Sequence, residues 1–113
     1  MKLVARVWVG DTSVFFSHHA AERYRQRCCD PWEPQHHATA ALRRIVQDTG
    51  AIRLNPPKGV QIGLDLRDQI LTEGWLVAED GDTLLVLPLV CKPGGGAYVA
   101  TTCVTVPKPQ EST

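Results

Sequence analysis

Residues 3–9 alternate between apolar and polar positions and are rich in Val and Trp, which predicts a strand. Gly10-Asp11 reads as a turn, and Thr12 to Phe16 as the partner strand of a hairpin. Ser17 is a good N-cap, and a helix is predicted from there to about Cys28. Asp30-Pro31-Trp32-Glu33-Pro34 breaks the chain. A second helix is predicted from about Pro34 to Asp48, with Pro34 in its first turn and Gly50 as its stop. Its apolar stripe is Ala38, Ala41, Leu42, Ile45 and Val46. Beyond Gly50 the period changes to two. Strands are predicted near Ala51–Leu54, Val60–Leu64, Gly74–Glu79, Thr83–Leu89 and Ala97–Val106, with turns at Asp80-Gly81-Asp82 and Pro93–Gly96.

This order predicts an α+β fold: an N-terminal hairpin and two helices, then an antiparallel β-meander, packed in two layers with one sheet face left open. One domain is expected over 1–106, and the polar segment 107–113, which carries two prolines, is expected to be a loose tail. The longest apolar run, Leu84 to Cys91, is short for a membrane span and contains Pro88. Arg6 interrupts the apolar N-terminus, which speaks against a signal peptide. The expected location is therefore the cytoplasm, away from membranes.

Composition changes this picture little, but charge does. The net charge is zero, although nucleic-acid binders usually carry a basic excess. The distribution is uneven. Residues 1–58 hold nine Lys/Arg against five Asp/Glu, about +4, and residues 59–113 hold three against seven, about −4. A basic surface on the N-terminal half is compatible with these counts. Of the four cysteines, Cys28 and Cys29 are adjacent and cannot form an unstrained bridge with each other. If the last long strands pair through Gly94-Gly95, Cys91 lies opposite about Tyr98 and Cys103 opposite about Val86, so a Cys91–Cys103 bridge is not expected.

The densest chemistry lies in Ser17–Arg27. On a helix His19, Arg23 and Arg27 follow at i, i+4 and i+8 and share a face. His19 falls in the first turn, where the helix dipole disfavours the imidazolium and so suits a base. The two arginines can clamp a phosphate or stabilise developing oxyanion charge. Such a set suffices for metal-independent RNA cleavage, in which a base takes the 2′-OH proton and cations stabilise the phosphorane. The plainer alternative is a solvated face whose arginines pair with Glu22 and other carboxylates. Tyr24 reads as a packing residue.

Other features carry less. His18, His19, Cys28, Cys29, Asp30, His36 and His37 are seven ligand-type residues, but they form neither a C-x-x-C nor an H-x-x-x-H pair, so neither a metal nor a cofactor is assigned. The strand Tyr98–Thr105 alternates threonines between its faces, and Thr101 or Thr102 on the open side can meet a phosphate oxygen; Thr is also simply a good strand former. Lys58 reads as a solvated loop lysine, and Gly94-Gly95-Gly96 lacks the Lys-Ser/Thr partner of a P-loop.

The stretch Ser17-His18-His19-Ala20 through Arg23 and Arg27, with a following helix, resembles the S-x-H-A-x-x-R-x-x-x-R opening of small RelE-like proteins and of phage and prophage proteins that share it. Tyr98-Val99-Ala100-Thr101-Thr102 is similar to their last strand. The resemblance implies the barnase–EndoU–colicin–RelE (BECR) superfamily, whose members are mostly metal-independent ribonucleases with helices followed by a four-stranded meander. It implies His19 as acid/base, Arg23 and Arg27 as phosphate contacts, and Thr101 or Thr102 near the substrate. RelE-type toxins are usually strongly basic, whereas this chain is neutral, and the hairpin before the first helix is extra.

Two readings follow. One is a RelE/BECR-like toxin or relative that cleaves RNA or ribosome-bound RNA by 2′-OH attack and is held by an antitoxin or inhibitor. The other is a non-catalytic, phage-type protein that binds and modulates a host protein.

Overall fold

A computed structural model of the chain describes residues 2–60 and 71–108. The predicted hairpin is formed by β1 (Leu3–Val9) and β2 (Thr12–Ser17). Gly10 alone of its two turn residues has a positive φ, the arrangement of a type II′ turn that glycine adopts without steric cost. Helix α1 (His18–Cys28) begins directly at the end of β2. Helix α2 (Gln35–Thr49) follows, with Pro34 standing just before its first turn as the N-cap rather than within it. Gly50 ends α2, but with φ of −65° and not by the left-handed route; a Cβ there would collide with the Val46 carbonyl oxygen, so the glycine is needed for space.

The remaining strands are β3 (Ala51–Arg53), β4 (Gly74–Asp80), β5 (Thr83–Cys91), β6 (Ala97–Ala100) and β7 (Val104–Pro107). The predicted strand Val60–Leu64 lies outside the described residues beyond Val60, which is buried. Pro107 ends β7, and Lys108 donates its N–H to Asp82 O and pairs with Glu79, so the first two residues of the expected tail are tied to the sheet; residues 109–113 lie outside those described.

The protein is mixed α+β; its described residues form helices α1 and α2 and one curled seven-stranded sheet in the order β1-β2-β6-β5-β4-β3, β7 pairing separately with β5. Two features depart from a plain antiparallel meander. First, the N-terminal hairpin joins the sheet through a parallel pair, β2 with β6, in which Phe16 lies opposite Ala100. Second, the expected strand Ala97–Val106 is broken. Leu89 lies opposite Ala100, but Val86 lies opposite Val104, so Thr101–Cys103 bulge out against Leu87–Pro88 with one residue to spare. The expected opposition of Cys91 and Tyr98 holds, and the bulge then shifts the register at Cys103 by one residue.

Pro88 gives the physical reason for the break. Thr101 N–H donates to Pro88 O, but Pro88 has no N–H to return to Thr101 O. The Ser17 hydroxyl fills that position, donating to Thr101 O at 3.2 Å while its oxygen accepts the Ala20 N–H at 3.0 Å.

Both helices pack on one sheet face. There Ala20, Tyr24, Ala38, Leu42 and Val46 meet Val7, Val14, Phe16, Leu76, Leu85, Leu87 and Leu89. The opposite face is not open throughout, as the sequence had suggested. In its β4–β5–β7 half, Trp75, Val77, Leu84, Val86, Val104 and Val106 are buried in a second cluster with Val60. Among the described residues the β1–β2–β6 half of this face leaves Arg6 and Trp8 in solvent, and Arg53 is exposed at the far edge on β3. No helix among the described residues is long and apolar enough to cross a membrane.

Candidate functional site

Ser17 is the pivot of the site. Its buried hydroxyl caps α1 and also holds the bulged Thr101 backbone, so the threonine segment lies beside the first turn that carries His18 and His19. Downstream, α1 lies against β7. The helix buries Ala20, Ala21 and Tyr24. His19, Arg23 and Arg27 flank this buried stripe on one side: His19 and Arg27 are exposed and Arg23 is half-buried.

Glu22 is taken up by Arg25, whose Nη2 is 2.6 Å from Oε1 and whose Nε donates at 3.2 Å to Oε2. The hydrogen bonds from Arg25 hold the Glu22 carboxyl below its usual range. Glu22 thus engages Arg25, not Arg23 or Arg27, and neither of those two has an ion pair with a described residue. Thr101 and Thr102, both half-exposed, sit in the bulge. The backbone therefore brings Thr101 to the N-terminus of the helix that bears His19, Arg23 and Arg27.

The neighbouring sulfur groups are not nucleophiles at neutral pH. Burial pushes the Cys28 thiol up to about 11 and the Cys103 thiol up to about 12, and in both the charge of Arg27 acts the other way without prevailing. Burial likewise raises Tyr24, which stays protonated and packs in the core. All four cysteines are free thiols. Among the described residues, no three His, Cys, Asp or Glu side chains are grouped to hold a metal ion. His37, in the first turn of α2, faces Glu33 just ahead of the helix at 3.4 Å, and Lys58 is exposed on its loop.

The sequence did not point to a second cationic surface on the other side of α1. A groove of about 470 Å³ opens between α1, α2 and β1, lined by Lys2, His18, His36, Thr39 and Arg43 among others, with no carboxylate in its walls. Arg43 is fixed at its rim, where Nε donates to the main-chain oxygen of Arg6 at 3.0 Å. These residues are dispersed along the chain, and only the excess of positive charge in residues 1–58 announces them. Helix α1 thus presents Arg23 and Arg27 on one side and borders the groove with His18 on the other.

No family model, no curated protein and no solved structure matches the chain.

Proposed function

We propose that this protein acts on RNA, gripping the phosphodiester backbone along α1 and cleaving it without a metal. The observation that carries this reading is the pair Arg23 and Arg27, unpaired with any described carboxylate and aligned with His19 beside the threonine bulge. A row of unneutralised cations next to an exposed imidazole is what binding and attack at a phosphodiester require. His19 takes the 2′-OH proton, the 2′ oxygen attacks phosphorus, and the 5′ oxygen leaves and is protonated by the imidazolium. The products are a 2′,3′-cyclic phosphate and a 5′-hydroxyl. Arg23 and Arg27 neutralise the phosphorane, and Thr101 and Thr102 supply hydroxyls beside it. The resemblance of Ser17–Arg27 to the RelE-like opening supports the same roles.

The test is incubation of the purified protein with single-stranded RNA and ribosome-bound mRNA in EDTA. Cleavage leaving cyclic-phosphate ends, reduced by a factor of about 10²–10⁴ in His19→Ala, is expected. Intact RNA under all these conditions would overturn the reading.

One observation favours the second reading, a protein-binding role. Among the described residues strand β1 pairs on one side only, so its outer edge, apart from the Arg6 oxygen that Arg43 occupies, can accept a strand from a partner protein or inhibitor. Recovery of one stoichiometric protein partner together with inert RNA would select it.

A further inference from the structure

Strand β1 divides two surfaces. Ala5 and Val7 join the core beneath the helices, while Arg6 and Trp8 belong to the opposite face of the sheet. On that face Arg6 lies opposite Phe15, Phe15 opposite Val99, and Val99 opposite Val90. In the next row Trp8 lies opposite Ser13, and Ser13 opposite Ala97.

The side chains on these rows interleave. The Arg6 guanidinium is 5.6 Å from the Trp8 ring centroid and 5.7 Å from that of Phe15, and Lys92 Nζ is 5.5 Å from the Phe15 centroid. The contacts therefore link Trp8, Arg6, Phe15 and Lys92 in turn, alternating ring and cation. Neither cation has an ion pair with a described residue. Trp8 is 56% exposed, and the hydroxyl of Ser13, itself 6% exposed, has no hydrogen-bond partner among the described residues. The β4–β5–β7 part of this sheet face is closed by its own apolar cluster.

We infer that this face is a stacking platform for the bases of single-stranded RNA. Trp8 offers an exposed π-face to an unpaired base, the Arg6 guanidinium offers a second stacking plane, and Arg6 and Lys92 hold the adjoining phosphates. A duplex hides its bases and has nothing to lay on Trp8. An acidic peptide satisfies the cations but leaves the rings in water. Four strands from β1 to β5 span roughly 14 Å, room for two or three splayed bases. The platform also adjoins the cationic groove, because Arg43 on the groove rim is bonded to the main chain of Arg6 on the same strand. A strand held along the helices can cross the β1 edge and continue onto Trp8.

This inference takes its ligand from the RNA reading above but does not require cleavage. The experiment is a fluorescence titration of the full chain with a ten-nucleotide oligouridylate and with an RNA duplex of equal length. Single-stranded RNA quenches the tryptophan signal, the duplex binds more weakly, and Trp8→Ala loses most of the quenching and about 5- to 100-fold in affinity. Phe15→Leu weakens binding in the same direction, and circular dichroism checks that each variant is folded. Unchanged affinity in folded Trp8→Ala overturns the platform while leaving the RNA reading in place. No binding of either RNA by the wild type overturns both.

Discussion

Replacing Ser17 by alanine removes two hydrogen bonds at once. The Ala20 N–H loses its cap, which costs about 1 kcal/mol. Thr101 O loses the hydroxyl that stands in for the missing N–H of Pro88, and a carbonyl left unpaired in a partly buried position costs about 1–2 kcal/mol more. The expected loss is therefore roughly 2–3 kcal/mol, or roughly 10 °C in Tm for a chain of this size. Pro88→Ala makes the reasoning falsifiable. It supplies an N–H that can return to Thr101 O, completing the pair already begun by the Thr101 N–H. In that background Ser17→Ala should cost only the cap, about 1 kcal/mol, leaving a coupling of about 1–2 kcal/mol between residues 17 and 88. Urea unfolding of the four proteins of the cycle measures it, and the effect of Pro88→Ala on the unfolded chain cancels between its two sides. A coupling indistinguishable from zero would refute the account of how the bulge is held at α1.

Gly50→Ala should destabilise by about 1–3 kcal/mol, seen as a lower urea midpoint, because the new methyl meets the Val46 carbonyl oxygen and the backbone must shift. Burial raises the Cys28 and Cys103 thiols from the ordinary value of 9.0, so the folded chain keeps protons that the unfolded chain releases. Stability is therefore fully present below pH 9 and falls as pH rises toward about 11–12; Cys103→Ala should flatten that decline in unfolding curves recorded from pH 8 to 11. Exposed Cys91 should be the first cysteine to react with a thiol reagent, with buried Cys103 reacting only on unfolding, as mass mapping of the labelled peptides can check.

What could be read from the sequence was local. Ser17 as cap, the turns at Gly10 and Gly81, and the apolar stripe of α2 each depend on neighbours within a few positions, and each is where it was expected. The His19–Arg23–Arg27 edge follows from helical spacing alone. What was not legible depends on pairs far apart in the chain. The parallel pairing of β2 with β6 joins residues more than eighty positions apart, and alternation within either strand carries no trace of its direction. The break at Thr101–Cys103 comes from Pro88 on the neighbouring strand, since the threonine stretch by itself reads as continuous. The cationic groove joins residues from the N-terminal strand region, the start of α1 and one side of α2, so no motif marks it. Two-faced burial of β4 and β5 likewise gives an unbroken apolar run from which neither face can be called open.

The salt dependence of single-stranded RNA binding tests the central claim most directly. If Arg23 and Arg27 act with two of the groove cations, about four phosphates are neutralised, and log K should fall with log salt at a slope of about −3. The double variant Arg23→Ala/Arg27→Ala should bind more weakly at every salt concentration, with the slope reduced in magnitude by about 1.4. Absence of RNA binding at low salt, or a double variant with the slope and affinity of the wild type, would contradict the assignment of α1 as the surface that grips RNA.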